Sequence, residues 1–120
     1  MTHRPEDLAA TLIRRARQRR KSDEDRLSLA REAAVRVLQT LIAARAVDRA
    51  WLIGSAAWGG VHERSDLDIV VEGMPQERSG ALWDQLSEAC GLDVDLLRLE
   101  ELEPRFRERV LSEGIPVDGA

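Results

Sequence analysis

Residues 54–73 read GSAAWGGVHERSDLDIVVEG, and the order of residue types in this stretch decides the predicted fold. Gly54 and Ser55 directly follow a short apolar run, as expected of a turn at the end of a strand. Asp66 and Asp68 lead into a second apolar run. Because side chains alternate across a strand, both aspartates leave one face and the apolar residues leave the other. The stretch therefore predicts two short strands, one ending in a small-residue turn and the other beginning with paired carboxylates.

Short apolar runs and helical patterns alternate along the rest of the chain, with glycines and prolines at their boundaries. Strands are predicted over residues 50–53, 67–71 and 92–99, and helices over about 76–90 and over 104–113. The predicted fold class is α/β (α+β), with a small mixed β-sheet covered by helices and an N-terminal helical extension.

The N-terminal third of the chain has a helical pattern. A first helix is predicted over about 5–20, and Ser22, which precedes three acidic residues, predicts the N-cap of a second helix that runs to roughly residue 46. Since no glycine or proline separates the two, a single long helix is the alternative. Apolar residues recur every three or four positions from Leu27 to Ile42, which predicts a stripe that packs on the sheet.

The chain of 120 residues is expected to form one domain, 1–120, with 1–47 as the helical extension and packing helix and 50–114 as the core. No apolar run approaches the roughly 18 residues of a membrane span, and the first residues do not resemble a secretory signal. Cys90 is the only cysteine, which excludes an internal disulfide and a structural zinc site and is typical of a reducing compartment. We therefore expect a cytoplasmic protein without a membrane partner.

The formal net charge of −4 is unevenly distributed along the chain. Residues 1–21 carry a net charge of +5, and the remaining 99 residues carry −9. A basic arm on an acidic body is typical of binding to nucleic acid or to an acidic protein face, although a solvated helix is the commoner explanation of such a run. The arm also lacks the aromatic residues that would stack on bases, which argues against nucleic acid.

A second pair of alternating aspartates, Asp93 and Asp95, lies in the strand predicted over 92–99. If this strand neighbours the strand over 67–71, a third carboxylate joins Asp66 and Asp68. Three carboxylates within about 5 Å of each other repel by roughly 3 kcal/mol per pair at an effective dielectric near 20. A cation relieves this repulsion, and oxygen ligands favour Mg²⁺ or Mn²⁺ over zinc. The acidic pattern therefore predicts a divalent metal site that shares its ions with substrate phosphates.

The turn at Gly54 and Ser55 is expected to supply the phosphate site, because backbone N–H groups exposed in such a turn bind anions. Other phosphate and metal motifs are excluded. The Walker loop requires a lysine where Val61 follows the paired glycines, no G-x-G-x-x-G occurs, and an EF-hand would need further oxygen ligands and a glycine after Asp68.

The spacing of these residues resembles a known signature. Gly54-Ser55, three residues, Gly59, five residues and then Ser65-Asp66-Leu67-Asp68 resembles the motif of the minimal nucleotidyltransferases, a branch of the DNA polymerase β-like superfamily. The stretch VDLLRLEELEPRFRERVLSEG, residues 94–114, is similar to their third-carboxylate strand and closing helix. The resemblance covers about residues 50–114, which it identifies as the catalytic core, and it aligns Asp95, not Asp93, with the third metal-associated aspartate.

This resemblance implies the nucleotidyltransferase fold and the transfer of a nucleoside monophosphate from an NTP, expected to be ATP, to a hydroxyl, with pyrophosphate leaving. Asp66, Asp68 and Asp95 would be the catalytic and metal-binding residues, with Asp95 helping to deprotonate the acceptor. The residues implied to bind the nucleotide are Gly54, Ser55 and Ser65.

The resemblance also implies a partner. Minimal nucleotidyltransferases are commonly encoded beside a small helical protein of the HEPN type, as the antitoxin of a toxin–antitoxin pair, and some attach AMP to a tyrosine of the toxin. Larger relatives carry an acceptor-binding helical domain that this chain has no room for, so a partner is expected to close the site, with the long N-terminal helices as a docking surface. A homo-oligomer is left open.

Two residues near the motif, Trp58 and His62, are not assigned to the chemistry. Trp58 stands where many relatives carry an arginine, and it is interpreted as packing beside the turn instead of contacting a phosphate. His62 is interpreted as a solvated loop residue, because the proposed chemistry needs no imidazole. Two other function classes stay open: a noncatalytic module that neutralises or scaffolds its partner by binding alone, and an enzyme that modifies a small molecule such as an aminoglycoside.

Overall fold

The computed structural model describes residues 5–54 and 66–118, with side chains from residue 8 onward. The chain begins with one continuous helix, α1 (Pro5–Ala43), of 39 residues. The predicted helix boundary at Ser22 is therefore wrong, and the alternative of a single long helix is correct. Compared with alanine, Ser22 and each acidic residue after it lower the stability of a helix interior by only a few tenths of a kcal/mol, up to about 0.7. These losses are too small to break a helix whose interior contains no glycine or proline.

The remaining elements follow α1 through a short turn in which Arg45 adopts a φ of 60°. In chain order they are β1 (Arg49–Ile53), β2 (Leu67–Glu72), a 3₁₀ turn (Gln76–Arg78), α2 (Ser79–Cys90), β3 (Val94–Arg98), a second 3₁₀ turn (Leu99–Glu101), α3 (Pro104–Glu113) and β4 (Ile115–Pro116). Strand β4 was not predicted, because two residues are too few for a periodic pattern. Its proline lies on an edge strand, where a missing N–H costs no sheet hydrogen bond.

The strands form one mixed sheet in the order β3-β2-β1-β4. Strand β1 pairs antiparallel with β2 and with β4, whereas β2 and β3 are parallel and joined through α2. This arrangement confirms the predicted small mixed sheet covered by helices.

The two faces of the sheet have separate apolar cores. Alternate residues of β2 (Leu67, Ile69 and Val71) pack with residues of α1 and α2. Val70 faces the other side and packs with a smaller cluster that includes Trp51 of β1 and Val110 of α3. Asp68 lies between Leu67 and Ile69 in sequence, so its side chain leaves the sheet on the face of this smaller core.

The N-terminal half of α1 projects beyond the sheet. The first buried residue of the described part of the helix is Ala30, and the helix spans about 58 Å at 1.5 Å per residue. The molecule accordingly measures 64 × 29 × 24 Å, and its radius of gyration of 18.4 Å exceeds the roughly 14 Å of a compact chain of this length. Within the described residues, no helix has the length and apolar content needed to cross a membrane.

Candidate active site

The sheet register places Asp68 directly beside Asp95. Asp68 of β2 is the Cα partner of Asp95 in the parallel pairing with β3, and Ile53 is its partner in the antiparallel pairing with β1. Residues in register on neighbouring strands, about 4.8 Å apart, point to the same side of a sheet. Asp68 and Asp95 therefore project from one face, at the edge of the sheet where β1 ends and β2 and β3 begin.

Asp68 is the deeply buried member of this pair. Its side chain is 1% exposed, and it is the sole buried charged residue in the described ranges. Asp95 is half-buried. An ionised carboxylate in such a position requires a compensating charge or hydrogen bonds, because moving a charge out of water is costly. Burial of one carboxylate beside another is the arrangement that favours a bound cation.

Asp66 lies one residue before β2 and ties the beginnings of β2 and β3 together. The backbone N–H groups of Asp66 and Leu67 donate to the carbonyl oxygen of Asp93 at 2.9 and 3.1 Å, and the N–H of Asp93 donates to Oδ2 of Asp66 at 3.3 Å. The Asp66 side chain is otherwise exposed. The link fixes the register in which Asp68 meets Asp95.

Asp93, the alternative third carboxylate, precedes β3 instead of belonging to it. Its backbone makes the junction with Asp66, and its side chain is exposed. The prediction that Asp93 and Asp95 alternate within one strand is therefore wrong at its first residue, because β3 begins at Val94. Of the two, Asp95 is the residue in register with Asp68.

Gly54 ends β1 on the same edge of the sheet. It is exposed, and a Cβ added there would meet no atom within 4 Å, so the backbone is open to a ligand. The other two residues expected to bind the nucleotide, Ser55 and Ser65, lie outside the described residues, as do Trp58 and His62. The assigned nucleotide-binding set is thus represented in the described structure by Gly54 alone.

The described residues do not include a group of three or more His, Cys, Asp or Glu side chains placed to hold a metal ion. The donor set nevertheless fits Mg²⁺, which is usually held by one or two carboxylates together with substrate phosphates and not by a cage of protein ligands. Asp68 and Asp95 supply two adjacent carboxylates of this kind.

Helix α1 lines a cavity next to Asp66, a contribution that the sequence interpretation missed. The cavity of about 360 Å³ is bounded by Asp66, by Leu92 and by three residues of α1, namely Asp23, Arg26 and Leu27. The apolar stripe that begins at Leu27 indicates which side of α1 faces the body, but it does not indicate that Asp23 and Arg26 lie beside Asp66. The helix is therefore part of the surroundings of the site.

A charge pair stabilises the opposite end of the central strands. Arg49 donates two hydrogen bonds to Glu72, from Nε at 2.7 Å and from Nη2 at 2.9 Å, and its guanidinium lies 5.1 Å from the ring centre of Trp51. These hydrogen bonds hold the pKa of Glu72 below its usual value and raise that of Arg49. The pair cross-links β1 and β2 away from the carboxylates.

Comparisons with known proteins point to one family. The family model described as "Polymerase beta, Nucleotidyltransferase" matches residues 36–118. A relative named "Putative protein adenylyltransferase MJ0435", from Methanocaldococcus jannaschii, is 35% identical over 74 residues, which are 59% of this chain and 80% of the relative. A solved structure described as "Structure of putative minimal nucleotidyltransferase" is similar with a TM-score of 0.59 and 35% identity, over 75% of this chain and 94% of that chain.

Proposed function

Because the chain belongs to the polymerase β nucleotidyltransferase family, we propose that it transfers AMP from ATP to a hydroxyl group of a partner protein, in a reaction that depends on Mg²⁺. The observation that carries this proposal is the pairing of Asp68 with Asp95 on one sheet face, beside the open backbone of Gly54. A protein acceptor is favoured by the name of the archaeal relative, a protein adenylyltransferase.

In the proposed reaction, the acceptor hydroxyl oxygen forms a bond to the α-phosphorus of ATP, and the bond from that phosphorus to the bridging oxygen of the β-phosphate breaks. Pyrophosphate leaves, and Asp95 accepts the hydroxyl proton. Asp66 and Asp68 would hold Mg²⁺, which supplies positive charge to the attacking and leaving oxygens when bound. The protein contributes mainly positioning and electrostatic stabilisation, with Gly54 against the phosphates.

We further propose that the partner is a HEPN-type helical toxin and that the chain is its antitoxin. The proposal draws on the resemblance to the minimal nucleotidyltransferases, and the solved structural relative is described as a member of that group. In this proposal, the toxin supplies the acceptor hydroxyl and covers the carboxylates.

Intact mass spectrometry tests the transfer. The chain is co-expressed with the HEPN-type protein proposed as its partner, and the partner mass should rise by one or more AMP units. Asp68→Asn should abolish the increase, whereas Asp93→Asn should preserve it, because the Asp93 side chain is exposed and only its backbone contributes to the junction. An unmodified partner in the presence of the wild-type chain would contradict the enzymatic proposal.

The alternative to transfer is that the chain neutralises its partner by binding alone. A double variant, Asp66→Ala with Asp68→Ala, separates the two functions. If it still suppresses the partner at equal abundance, neutralisation is by binding. If suppression disappears while the complex still forms, neutralisation requires transfer. Activity on an aminoglycoside in the absence of any partner would instead indicate a small-molecule acceptor.

A further inference from the structure

Strand β3 is one edge of the sheet, and its outer side carries backbone groups without a partner. In a parallel pair, the N–H and C=O of one residue point to the neighbouring strand, and those of the next residue point away from it. The carbonyl of Asp93 accepts from the N–H of Leu67 in β2, so the backbone groups of Val94 and Leu96 point outward. The indole N–H of Trp83 in α2 donates to the carbonyl of Val94 at 2.7 Å. Neither outward group of Leu96 has a hydrogen-bond partner among the described residues.

A cavity of about 450 Å³ lies against this part of β3. Its walls include Leu96 and Leu97, which leave opposite faces of the strand, and Ser79 in the first turn of α2. The Oγ atom of Ser79 is buried, and it makes no hydrogen bond within the described ranges. We call the cavity and the outer edge of β3 beside it the strand site. Because buried polar groups are normally hydrogen-bonded, an unpaired hydroxyl beside an unpaired backbone amide indicates a ligand that bonds to both.

The two edges of the sheet differ in how they are protected. Edge strands are commonly short or carry proline or charged side chains, because an unprotected edge pairs with another chain. Strand β4, at the opposite edge, has two residues, and one of them is Pro116. Strand β3 has five residues and no proline, and Leu96 and Leu97 in its interior are partly exposed. The unpaired backbone of β3 therefore selects an extended polypeptide, whose own N–H and C=O groups match those of a strand edge.

We propose that the segment of the partner protein that carries the acceptor hydroxyl binds to the strand site as an added strand, with its hydroxyl side chain opposite Asp95. The strand site as a substrate site rests on the proposed function, since it takes the acceptor to be a protein. Residues in register on neighbouring strands, about 4.8 Å apart, point to the same side of a sheet. A residue opposite Asp95 therefore projects from the face on which Asp95 and Asp68 lie. The added strand delivers the hydroxyl to the carboxylate proposed to accept its proton.

Trp83 sets the place where the added strand ends. Its indole group lies at the outward carbonyl of Val94, so the added strand can pair with Leu96 but not with this carbonyl. Asp95 lies between Val94 and Leu96 in the strand and is therefore opposite the end of the paired segment. The acceptor residue is expected at this end, where the segment leaves the sheet beside the carboxylates.

Hydrogen exchange measured by NMR tests the binding of the segment. The full chain is measured alone and in complex with the co-expressed HEPN-type protein proposed as its partner. The amide of Leu96 should exchange rapidly in the free chain and about tenfold or more slowly in the complex, because it gains a hydrogen bond there. The amide of Leu97, which points to β2, is the internal control and should be protected in both samples.

A proline substitution tests the same contact by kinetics. Leu96→Pro removes the outward N–H without removing a hydrogen bond of the sheet, as proline does on an edge strand. It should lower kcat/KM for the partner by about tenfold or more and leave KM for ATP unchanged, because the phosphate site is not altered. Leu96→Ala is the matched control: it loses the same side chain, keeps the N–H and should transfer AMP within a few-fold of the wild-type chain.

A pair of serine variants decides the question if Leu96→Pro does not fold. Ser79→Ala should raise KM for the partner several-fold without lowering the melting temperature, because it removes a buried hydroxyl that is unpaired in the described part of the free chain. Ser87→Ala is its control. The Oγ atom of Ser87 is also buried and unpaired among the described residues of α2, but Ser87 does not border the cavity, so its loss should leave KM for the partner unchanged. Equal KM values in both variants would contradict the strand site.

The outcomes separate the strand site from the proposed function. AMP transfer without protection of Leu96, with Leu96→Pro as active as Leu96→Ala, overturns the strand site and leaves the transfer standing. Protection of Leu96 without AMP transfer contradicts the proposed function and supports the strand site. Absence of both results overturns both proposals. Protection of Leu96 in a dimer of the chain alone would also overturn the strand site, because a second copy would then occupy the edge.

Discussion

Asp68 and Asp95 are Cα partners across the parallel strands β2 and β3, and both lie on the sheet face that carries the smaller apolar core. Asp68 is the second residue of β2, and Asp95 is the second residue of β3. Their equal positions are set by the junction in which Asp66 and Asp93 exchange hydrogen bonds. Two carboxylates separated by 27 positions in the chain thus reach one edge of the sheet.

The first prediction concerns loss of one carboxylate of this pair. Asp68→Asn should lower the rate of nucleotide transfer by roughly 10³-fold, because metal-assisted charge stabilisation contributes several kcal/mol and each 1.4 kcal/mol is a factor of ten. Release of pyrophosphate in the presence of ATP and the acceptor is the measurement. Asp93→Asn should retain activity within a few-fold, and equal losses in both variants would contradict the assigned roles.

The second prediction concerns binding without turnover. Mg²⁺ and ATP together should raise the melting temperature, since a ligand at 100 times its Kd stabilises the folded state by about 2.7 kcal/mol. ATP with EDTA should give a much smaller shift, because the carboxylates then repel the phosphates. Differential scanning fluorimetry measures both samples. An equal shift for Asp68→Asn would show that ATP binds without this carboxylate.

Much of the candidate site could be predicted because local rules determine it. Strand alternation alone assigns Asp68 to one face and Leu67 to the other, and burial of Leu67 in the larger core follows, whereas Asp66 lies before β2 and is not placed by this rule. The bounds of α3 were predicted to the residue, because Pro104 starts the helix and Gly114 follows its last residue. These features depend on residues close together in sequence.

Other features depend on long-range packing and could not be predicted in the same way. The pairing of β2 with β3 was a condition of the metal-site prediction, since no periodic pattern specifies which strands are neighbours. The continuity of α1 through Ser22 was ambiguous, because N-cap residues are also tolerated inside a long helix. The cavity beside Asp66 required the position of α1 over the sheet, which only the packed structure contains.

The third prediction tests the continuity of α1. If Ser22 is a helix-interior residue, Ser22→Ala should leave the helical circular dichroism and the free energy of unfolding unchanged, or raise the latter by up to about 0.5 kcal/mol, because alanine is the better helix former. An N-cap serine would instead lose about 1 kcal/mol on the same substitution. A loss of that size, with reduced helicity, would place a helix boundary at this residue.

The fourth prediction concerns the turn after β2. Gly73 has a φ of 83°, and a Cβ added there would collide with the carboxyl group of Asp48. A left-handed conformation costs a residue with a side chain about 1–2 kcal/mol. Gly73→Ala should therefore lower the free energy of unfolding by at least this amount. Urea denaturation measures the change.

Two further variants separate the causes of that loss. Gly80→Ala is the matched control, because Gly80 lies in the first turn of α2 and an added Cβ meets no atom within 4 Å; it should be neutral or stabilising by up to about 1 kcal/mol. Combining Gly73→Ala with Asp48→Ala removes the collision and leaves the backbone cost. If the double variant recovers the full free energy of unfolding, the backbone conformation at residue 73 does not destabilise an alanine there.

The fifth prediction is a pH dependence that comes from the Arg49–Glu72 pair. Because the hydrogen bonds from Arg49 lower the pKa of Glu72 in the folded chain, the pair contributes stability above the unfolded-state value of about 4.3 and loses it as the pH falls through the lower folded value. Both side chains are partly exposed, 57% for Arg49 and 28% for Glu72, so the contribution at neutral pH should not exceed about 1 kcal/mol. Glu72→Gln should therefore unfold more easily than the wild-type chain at pH 7, and the stabilities of the two chains should converge below about pH 4.

Glu77→Gln, on an exposed residue outside this pair, is the control, and its stability should follow that of the wild-type chain at every pH. A difference between Glu72→Gln and wild type that persists unchanged at acidic pH would mean that packing of the side chain, and not its charge, stabilises the junction of β1 and β2.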